Sequence, residues 1–345
     1  MIKFTHVEGF HNIVRTYKTM GNHPTIDRFR LHSPVTFRGT VKLHGTNVGI
    51  VCTPAGLQAQ SRNRPLTIED DNYSFAAFVA RPEVARALRE LEAELRAQAE
   101  LDADVPLVLW GELVGPKVQK GVATAKLPER QFVLFAVGSR RDEPMVDGDE
   151  DSDKHYLDLL PVLGERFAEV GIYSVLDVPT WTLTVDFSQL DSLEQQIQAV
   201  EGWVDEVEAR CPWGARFGLD GVGEGIVFTP TGEHQGKSWL FWKAKGEAHK
   251  KTKGPTVAVD PAVLASIDDF VDFAVTDGRL EQGLEHLGEM GLELSMKSTG
   301  PFLKWVAEDV HRECRDELDD AGLDWKQVAK AVNQKALTFF KSRAL

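Results

Sequence analysis

Residues 41–47, with the sequence VKLHGTN, place a lysine, a histidine and an asparagine around a glycine inside a strand-like segment. Lys42 is the candidate nucleophile, because a lysine amine can attack phosphorus and form a covalent intermediate. The amine reacts only when it is deprotonated, and the ordinary lysine pKa of about 10.4 leaves few free amines at neutral pH. The surroundings of this residue must therefore favour the neutral amine.

Three later segments supply the other groups that such a site needs. WGELVG contains Glu112, GEGIVF contains Glu224, and WKAKG contains Lys243 and Lys245. Carboxylates can hold a divalent cation, and lysines can contact a polyphosphate. A single K-x-H-G would occur often by chance, whereas K-x-H-G, G-E-L, E-G-I-V and K-x-K in this order form a specific pattern.

This order resembles that of the covalent nucleotidyltransferases, and within them the RNA ligase 2 family, which seals RNA ends, often at nicks in duplexes. KLHGTN has the histidine and asparagine typical of that family, whereas DNA ligases usually have an aspartate in place of His44. GELVGPKVQKGV followed by FVLF is similar to the family's third motif and its aromatic extension. SRN at 61–63 is similar to its early arginine motif. The motifs together cover roughly residues 36–246.

The resemblance implies a fold of the α+β class. An ATP-grasp-like ligase domain, the nucleotidyltransferase or adenylylation domain, would consist of antiparallel sheets with flanking helices at residues 1–250. An all-α C-terminal domain with an RNA-binding role would follow at residues 255–345. The segment GEAHKKTKGPTVAVDP is rich in lysine, glycine and proline, and this change of composition places the boundary near Gly254. DNA ligases and capping guanylyltransferases usually have a small β-barrel after the K-x-K motif instead.

The resemblance also implies a reaction in three steps. Lys42 attacks the α-phosphate of ATP, AMP passes to an RNA 5'-phosphate, and a 3'-OH displaces AMP to join the strands. The predicted catalytic residues are Lys42, His44, Lys243 and Lys245. The predicted nucleotide-binding residues are Lys42, Leu43, Asn47, Arg62, Glu112, Phe135, Lys243 and Lys245. The expected partner is RNA, as a nicked duplex with an RNA 3'-OH end.

Individual roles follow from the same resemblance. Glu112 is expected to contact the ribose, Phe135 to stack on the adenine, and Arg62 to contact a phosphate of RNA or AMP. Glu224 is expected to hold Mg²⁺ or Mn²⁺ through bound waters, because Mg²⁺ usually keeps part of its hydration shell. Each step is a displacement at phosphorus, so positioning and charge neutralisation would provide most of the catalysis.

Composition narrows the possible classes of protein. The chain has 345 residues and 42% hydrophobic residues, enough for two domains with a buried core. Its net charge of -14 argues against a protein that coats nucleic acid nonspecifically. A basic strip nevertheless occurs locally, and it consists of Lys237, Lys243, Lys245, Lys250, Lys251 and Lys253. This strip overlaps the K-x-K motif and is therefore interpreted as a phosphate-binding track.

Apolar spacing predicts the secondary structure. VTFRGTVKLHGTNVGIVCTP indicates two strands broken at the glycine, and LVLWGELVG, QFVLFAVG, GIVFTP and SWLFWKAKG indicate further strands. Helices are predicted over 82–101, 155–170 and 191–209. In the C-terminal part, helices are predicted over 261–276, 279–290, 301–320 and 324–342, with Asp260-Pro261 as a helix start.

Other features suggest a location in the cytoplasm, and the protein is expected to be a monomer. The N-terminus lacks a secretory pattern, no apolar run approaches the ~20 residues that span a bilayer, and three scattered cysteines suggest neither disulfides nor a zinc site. Two alternatives remain open. One is a DNA ligase or a capping guanylyltransferase with the same lysyl-nucleotide chemistry. The other is a nonenzymatic RNA-binding module that has kept the fold.

Overall fold

The computed structural model describes residues 1–21, 29–62, 64–119, 121–140, 154–246, 267–314, 318 and 323–344. The chain divides into two compact units, Met1–Gly246 and Glu247–Leu345. The first unit is of the mixed α+β type, with two largely antiparallel sheets and flanking helices. Among the described residues, no helix has the length and apolar character required to cross a membrane.

Sheet 1 of the first unit has five strands. They are β1 (Glu8–Gly9), β2 (Val35–Lys42), β9 (Trp181–Val185), β10 (Gly225–Pro230) and β11 (Trp242–Lys245). Their order in the sheet is β1-β11-β10-β2-β9, and only the short β1 runs parallel to its neighbour. The strands that carry Lys42 and Lys245 are therefore both neighbours of β10.

Sheet 2 contains the remaining strands of the first unit. They are β3 (Thr46–Thr53), β4 (Gly56–Ser61), β5 (Leu107–Val114), β6 (Gln131–Arg140), β7 (Lys154–Leu157) and β8 (Ile172–Ser174). Their order is β4-β3-β5-β6-β7, and β8 pairs with β6 in parallel. Buried side chains of both sheets, including Phe37 and Val133, share one hydrophobic core.

Residues 43–45 carry the chain from sheet 1 to sheet 2, because β2 ends at Lys42 and β3 begins at Thr46. The predicted break between two strands is thus confirmed. Gly45 is required at this crossing, since a Cβ there would lie 2.3 Å from the carbonyl oxygen of Leu113. The close approach of β5 brings Lys42 to the end of one sheet beside the other.

Helices cover both sheets of the first unit. They are α1 (Phe10–Met20), α2 (Phe75–Val79), α3 (Pro82–Ala99), α4 (Leu193–Ala209) and α5 (Pro212–Arg216). In α3, Leu88, Leu91 and Leu95 recur at helical spacing and are buried against sheet 2, each contributing about 2 kcal/mol. The helices predicted over 82–101 and 191–209 are confirmed.

Two secondary-structure predictions were wrong in part. The helix predicted over 155–170 does not form, because residues 154–157 pair with β6 as β7, and only Ala168–Val170 make a 3₁₀ turn. Pro161 and Gly164 lie between β7 and this turn, and they interrupt the helical spacing there. In SWLFWKAKG, Ser238–Leu240 form a 3₁₀ turn, and the strand is limited to Trp242–Lys245.

The described part of the second unit is helical. Its α-helices are α6 (Ile267–Ala274), α7 (Asp277–Glu289), α8 (Thr299–Glu313) and α9 (Trp325–Ala344). Their apolar faces form a core of their own, which includes Phe270, Phe302 and Phe340. Arg279 is buried in this core and is neutralised by Asp309, with 2.8 Å between Nε and Oδ2. The predicted boundary at Gly254, the start at Asp260-Pro261 and the lysines at 250, 251 and 253 lie outside the described residues.

Candidate active site

Glu224 is the centre of a charged cluster in the first unit. The Lys42 Nζ atom donates a hydrogen bond to Glu224 Oε2 at 2.7 Å, and His44 Nδ1 lies 3.2 Å from the same oxygen. Lys245 Nζ lies 3.1 Å from Oε1. Glu224 is only 4% exposed, whereas Lys42 and Lys245 are 22% and 24% exposed. One buried carboxylate therefore holds three basic groups around it.

The register of sheet 1 explains how residues 182 positions apart come together. Gly225, the first residue of β10, lies opposite Lys42 on β2 and opposite Lys245 on β11. Glu224 precedes it, and the carbonyl oxygen of Glu224 accepts a hydrogen bond from the Gly246 amide at 3.1 Å. The carboxylate is thus fixed at the sheet end between the two lysine-bearing strands.

Gly225 has a backbone that other residues rarely adopt, with φ at +148°. A Cβ at this position would lie 2.1 Å from the carbonyl oxygen of Ala244. We expect Gly225→Ala to lower the free energy of unfolding by about 3 kcal/mol, because strain and overcrowding add together. Urea denaturation of the full chain measures this loss.

Gly202→Ala is the matched control for that measurement. Gly202 lies on the exposed side of α4, where an added Cβ would meet no atom within 4 Å. Since alanine favours a helix over glycine, this variant should be as stable as the parent protein or more stable by up to about 1 kcal/mol. Equal stability of the two alanine variants would contradict the proposed constraint at Gly225.

The electrostatics of the cluster keep Glu224 ionised. Burial by itself would raise the pKa of Glu224, but the charges of Lys42 and Lys245 and the hydrogen bond from His44 outweigh it. The pKa is consequently held well below the ordinary value of 4.5. At neutral pH the carboxylate is therefore charged, and it is paired with the two lysines.

This depressed pKa predicts a pH dependence of stability. A carboxylate whose pKa falls on folding stabilises the protein above its unfolded pKa, and this contribution is lost as the pH falls towards the folded pKa. The stability difference between the parent protein and Glu224→Gln should therefore be full at pH 7 and shrink below about pH 4.5. Urea denaturation from pH 7 to about pH 3 measures it, and a constant difference would contradict the prediction.

The loop that follows Lys42 is held by three side chains from other segments. Glu112 Oε1 accepts a hydrogen bond from the Gly45 amide at 3.1 Å, and Gln119 Nε2 donates one to the Gly45 carbonyl oxygen at 3.1 Å. Thr124 Oγ1 donates to the His44 carbonyl oxygen at 3.2 Å. Gln119 and Thr124 were missed in the sequence, since their only signal was their position after the G-E-L motif.

Asn47 and Glu112 occupy opposite positions in the β3–β5 pair, so their side chains share one face of sheet 2. Phe135 is the extra residue of a bulge in β6, where Leu134 faces Gly111 and Ala136 faces Trp110. Bulges often redirect a side chain beside an active site. The half-buried Phe135 ring meets the Phe4 ring edge-on, with 4.9 Å between centroids.

Three further predicted residues have different surroundings. Leu43 is 5% exposed and packs in the hydrophobic core, so only its backbone is available to a ligand. Lys243 is half-buried and, two residues from Lys245 on β11, points to the same side of sheet 1. Arg62 follows β4 at the sheet end where β3 begins, and its Nη2 lies 2.9 Å from His6 Nδ1.

The donor set of the cluster suits a hydrated divalent cation. Glu224 is an ionised oxygen ligand within the site, and a Mg²⁺ ion needs only one or two carboxylates when waters fill its remaining positions. Binding would require the carboxylate to exchange its contacts with Lys42 or Lys245 for contacts with the ion or its waters. The arrangement therefore fits a site that brings together an amine, a cation and an anionic substrate.

One protein family matches the part of the chain that contains this cluster. The model of the RNA ligase family matches residues 35–245, which is more than half of the chain and includes every residue of the Glu224 cluster. None of the curated proteins matches the chain.

Solved structures of a Naegleria gruberi RNA ligase are similar to part of the chain. A lysine mutant with AMP and Mn and an arginine mutant with ATP and Mn each have 18% sequence identity, with TM-scores of 0.40 and 0.41. The structure with PPi has 18% identity and a TM-score of 0.40. Each match covers 72% of this chain and 57% of the Naegleria chain. The chain thus spans less than two thirds of the solved relatives it matches.

Proposed function

Because the chain belongs to the RNA ligase family, we propose that it is an ATP-dependent RNA ligase that joins a 3'-OH end to a 5'-phosphate end. The reaction would proceed through lysyl-AMP and RNA-adenylate intermediates at nicks in duplexes. The observation that carries this proposal is the meeting of Lys42, Lys245 and the buried carboxylate of Glu224 in one site.

In the first step, the Lys42 amine forms a bond to the α-phosphorus of ATP while the bond to pyrophosphate breaks. The amine must first give up its hydrogen bond to Glu224 and lose a proton. Lys245, and Lys243 on the same side of β11, would then offset the negative charge that grows on the phosphate oxygens. Removing one such charge-stabilising group from an active site typically costs about 10²- to 10³-fold in rate.

We assign the metal site to Glu224, which would hold Mg²⁺ or Mn²⁺ through bound waters. When bound, the ion supplies positive charge that polarises the phosphate. The low pKa of Glu224 supports this role, because the carboxylate stays charged at neutral pH. His44, which contacts the same carboxylate oxygen, would keep it oriented in the site.

The remaining roles belong to the nucleotide and the RNA. Glu112 would contact the ribose while its Oε1 atom accepts the hydrogen bond from the Gly45 amide. Phe135 would stack on the adenine. Asn47 lies on the same face as Glu112 and would approach the phosphates. Arg62, at the same sheet end, would contact the RNA 5'-phosphate or the AMP phosphate.

We also propose a role for each of the two domains. Residues 1–250 would form the ATP-grasp-like adenylylation domain, and residues 255–345 would form an all-α domain that binds RNA. The protein would act as a monomer in the cytoplasm on a nicked duplex. The helical character of the described residues after 267 supports the RNA ligase 2 type over relatives with a β-barrel there.

Strand joining tests the proposed function. The full chain, ATP and Mg²⁺ or Mn²⁺ are incubated with a nicked RNA duplex, a nick whose 3'-OH end is DNA, and single strands. We expect the nick with an RNA 3'-OH to be sealed best, and Lys42→Arg to seal none. A preference for single strands would contradict the duplex assignment. Labelling of the protein by GTP and not by ATP would instead identify a capping-type enzyme.

A further inference from the structure

A cleft in the first unit lies outside the Glu224 cluster. Its volume is about 300 Å³, and it opens beside the end of β5. We call it the basic cleft and define it by Tyr73, Arg81, Lys117 and Arg130. Leu113, on the opposite face of β5 from Glu112, forms part of its floor. The basic cleft and the candidate active site are therefore separated by sheet 2.

The charge of the basic cleft contrasts with that of the whole chain. Arg81, Lys117 and Arg130 line it together with one acidic residue, Glu129, whereas the chain has a net charge of -14. Arg81 and Lys117 are exposed to solvent. A concentration of positive charge in a concave surface attracts anions, even when the whole protein is acidic. The chemistry of the basic cleft consequently fits an anionic ligand.

The backbone around the basic cleft is held in an unusual conformation. Among the described residues, four that are not glycine have a positive φ, and three of them line this cleft: Tyr73 at 50°, Ser74 at 56° and Lys117 at 66°. A residue other than glycine that is held in such a conformation costs about 1–3 kcal/mol of folding free energy, and such residues cluster at binding sites. This strain points to a surface shaped for a ligand.

Arg130 joins the two walls of the basic cleft. Its Nη1 donates to the Tyr73 carbonyl oxygen at 2.6 Å, and its Nε donates to the Pro116 carbonyl oxygen at 3.3 Å. The guanidinium also lies 5.9 Å from the centroid of the Tyr73 ring. The basic cleft is thus preformed, which lowers the cost of ordering it around a ligand.

Aromatic rings lie beside the cations. The guanidinium of Arg81 lies 5.6 Å from the centroid of the buried Phe78 ring, and the half-buried Tyr73 also lines the basic cleft. Cations beside aromatic rings form the combination that binds single nucleotide units, with phosphate on the cations and a base on a ring. A phosphate with an adjoining base matches both features of the basic cleft.

We propose that the basic cleft binds a phosphate and the adjoining base of the RNA substrate, away from the ends being joined. This inference rests on the proposed function and adds a second RNA contact to it. The loop that contributes Pro116 and Lys117 continues to Gln119, which contacts Gly45 in the nucleophile loop. Three residues span at most about 11 Å, so an RNA strand that passes the end of sheet 2 can meet both sites.

RNA binding by the full chain tests this proposal. The double variant R81Q and K117Q removes two exposed charges. It leaves Arg130 and its hydrogen bonds in place. Fluorescence anisotropy with a labelled nicked RNA duplex, without ATP, is measured over a range of salt concentrations. We expect affinity to fall about 5- to 10-fold at low salt, and the slope of log K against log salt to decrease by about 1.4 to 1.8. Unchanged affinity and slope would overturn the proposal.

Two further arms separate the possible explanations. Arg210 follows α4, is exposed, and its Nε lies 3.5 Å from Asp220 Oδ1. The variant Arg210→Gln removes this charge away from the basic cleft and should leave the affinity and slope unchanged. An equal loss in this control would mean that overall charge, and not the basic cleft, governs binding. In the other arm a fluorescent ATP analogue replaces RNA. If the double variant weakens its binding equally, the basic cleft binds a free nucleotide and the RNA assignment fails.

The outcome for the proposed function is read separately. Covalent labelling of the parent protein by α-labelled ATP needs no RNA, so it reports on the Lys42 chemistry alone. Absence of labelling would defeat the proposed function whatever the salt slopes are. Labelling together with unchanged RNA binding by the double variant would defeat only the assignment of the basic cleft.

Discussion

Lys42→Ala and Lys42→Arg are both expected to abolish covalent labelling of the protein by α-labelled ATP, a loss of at least about 1000-fold. Alanine removes the amine. Arginine keeps a positive charge beside Glu224, but its guanidinium stays protonated and cannot form the bond to phosphorus. Labelling that survives denaturation, measured on gels, gives the result.

The arginine variant separates chemistry from folding. Because it can still pair with Glu224, it should remain close to the parent protein in stability, whereas alanine leaves the buried carboxylate with one lysine fewer. Lys18→Ala, an exposed lysine of α1, is the matched control and should label like the parent protein. Strong labelling of Lys42→Arg would place the nucleophile at another residue.

Glu224→Gln is expected to have the second largest effect. The amide keeps the shape of the side chain but removes the charge that holds Lys42 and Lys245. Breaking a buried ion pair costs about 3–5 kcal/mol, and since both lysines are partly exposed we expect about 3 kcal/mol of stability to be lost. Labelling should fall by about 10²- to 10³-fold, because charge stabilisation of the phosphate is lost as well.

Two comparisons keep this result interpretable. Glu224→Asp retains the charge but shortens the side chain. It should therefore retain most of the stability but lose much of the labelling, because labelling depends on the position of the carboxylate. Glu69→Gln, at an exposed carboxylate, should change neither quantity. Circular dichroism at the labelling temperature shows whether each variant is folded. A folded Glu224→Gln that labels like the parent protein would remove Glu224 from the site.

The order of the motifs predicted which residues lie together better than it predicted the contacts between them. The order of K-x-H-G, E-G-I-V and K-x-K led to Lys42, Glu224 and Lys245, which the sheet register does bring together. The contact of Glu112 with the Gly45 amide, and that of Arg62 with His6, could not be predicted. Such contacts depend on how distant segments pair and pack, which local patterns do not encode.

The secondary structure was likewise predictable only where local spacing determines it. The strands around Gly45 and the helix α3 were predictable, since period-2 and helical spacings are local signals. The segment at 155–170 was predicted as a helix, but Tyr156 pairs with Gly138 in β6, and this pairing with a distant strand overrides the local spacing. The bulge at Phe135 has no signal in its own composition.

The most direct measurement is to locate the adduct after incubating the parent protein with ATP and Mg²⁺ or Mn²⁺. Peptides of the labelled protein are separated at alkaline pH and identified by mass spectrometry. A single AMP on the peptide containing Lys42, bonded through the side-chain nitrogen, is the predicted result. AMP on a different residue, or no adduct in a protein that still joins RNA ends, would contradict the central claim.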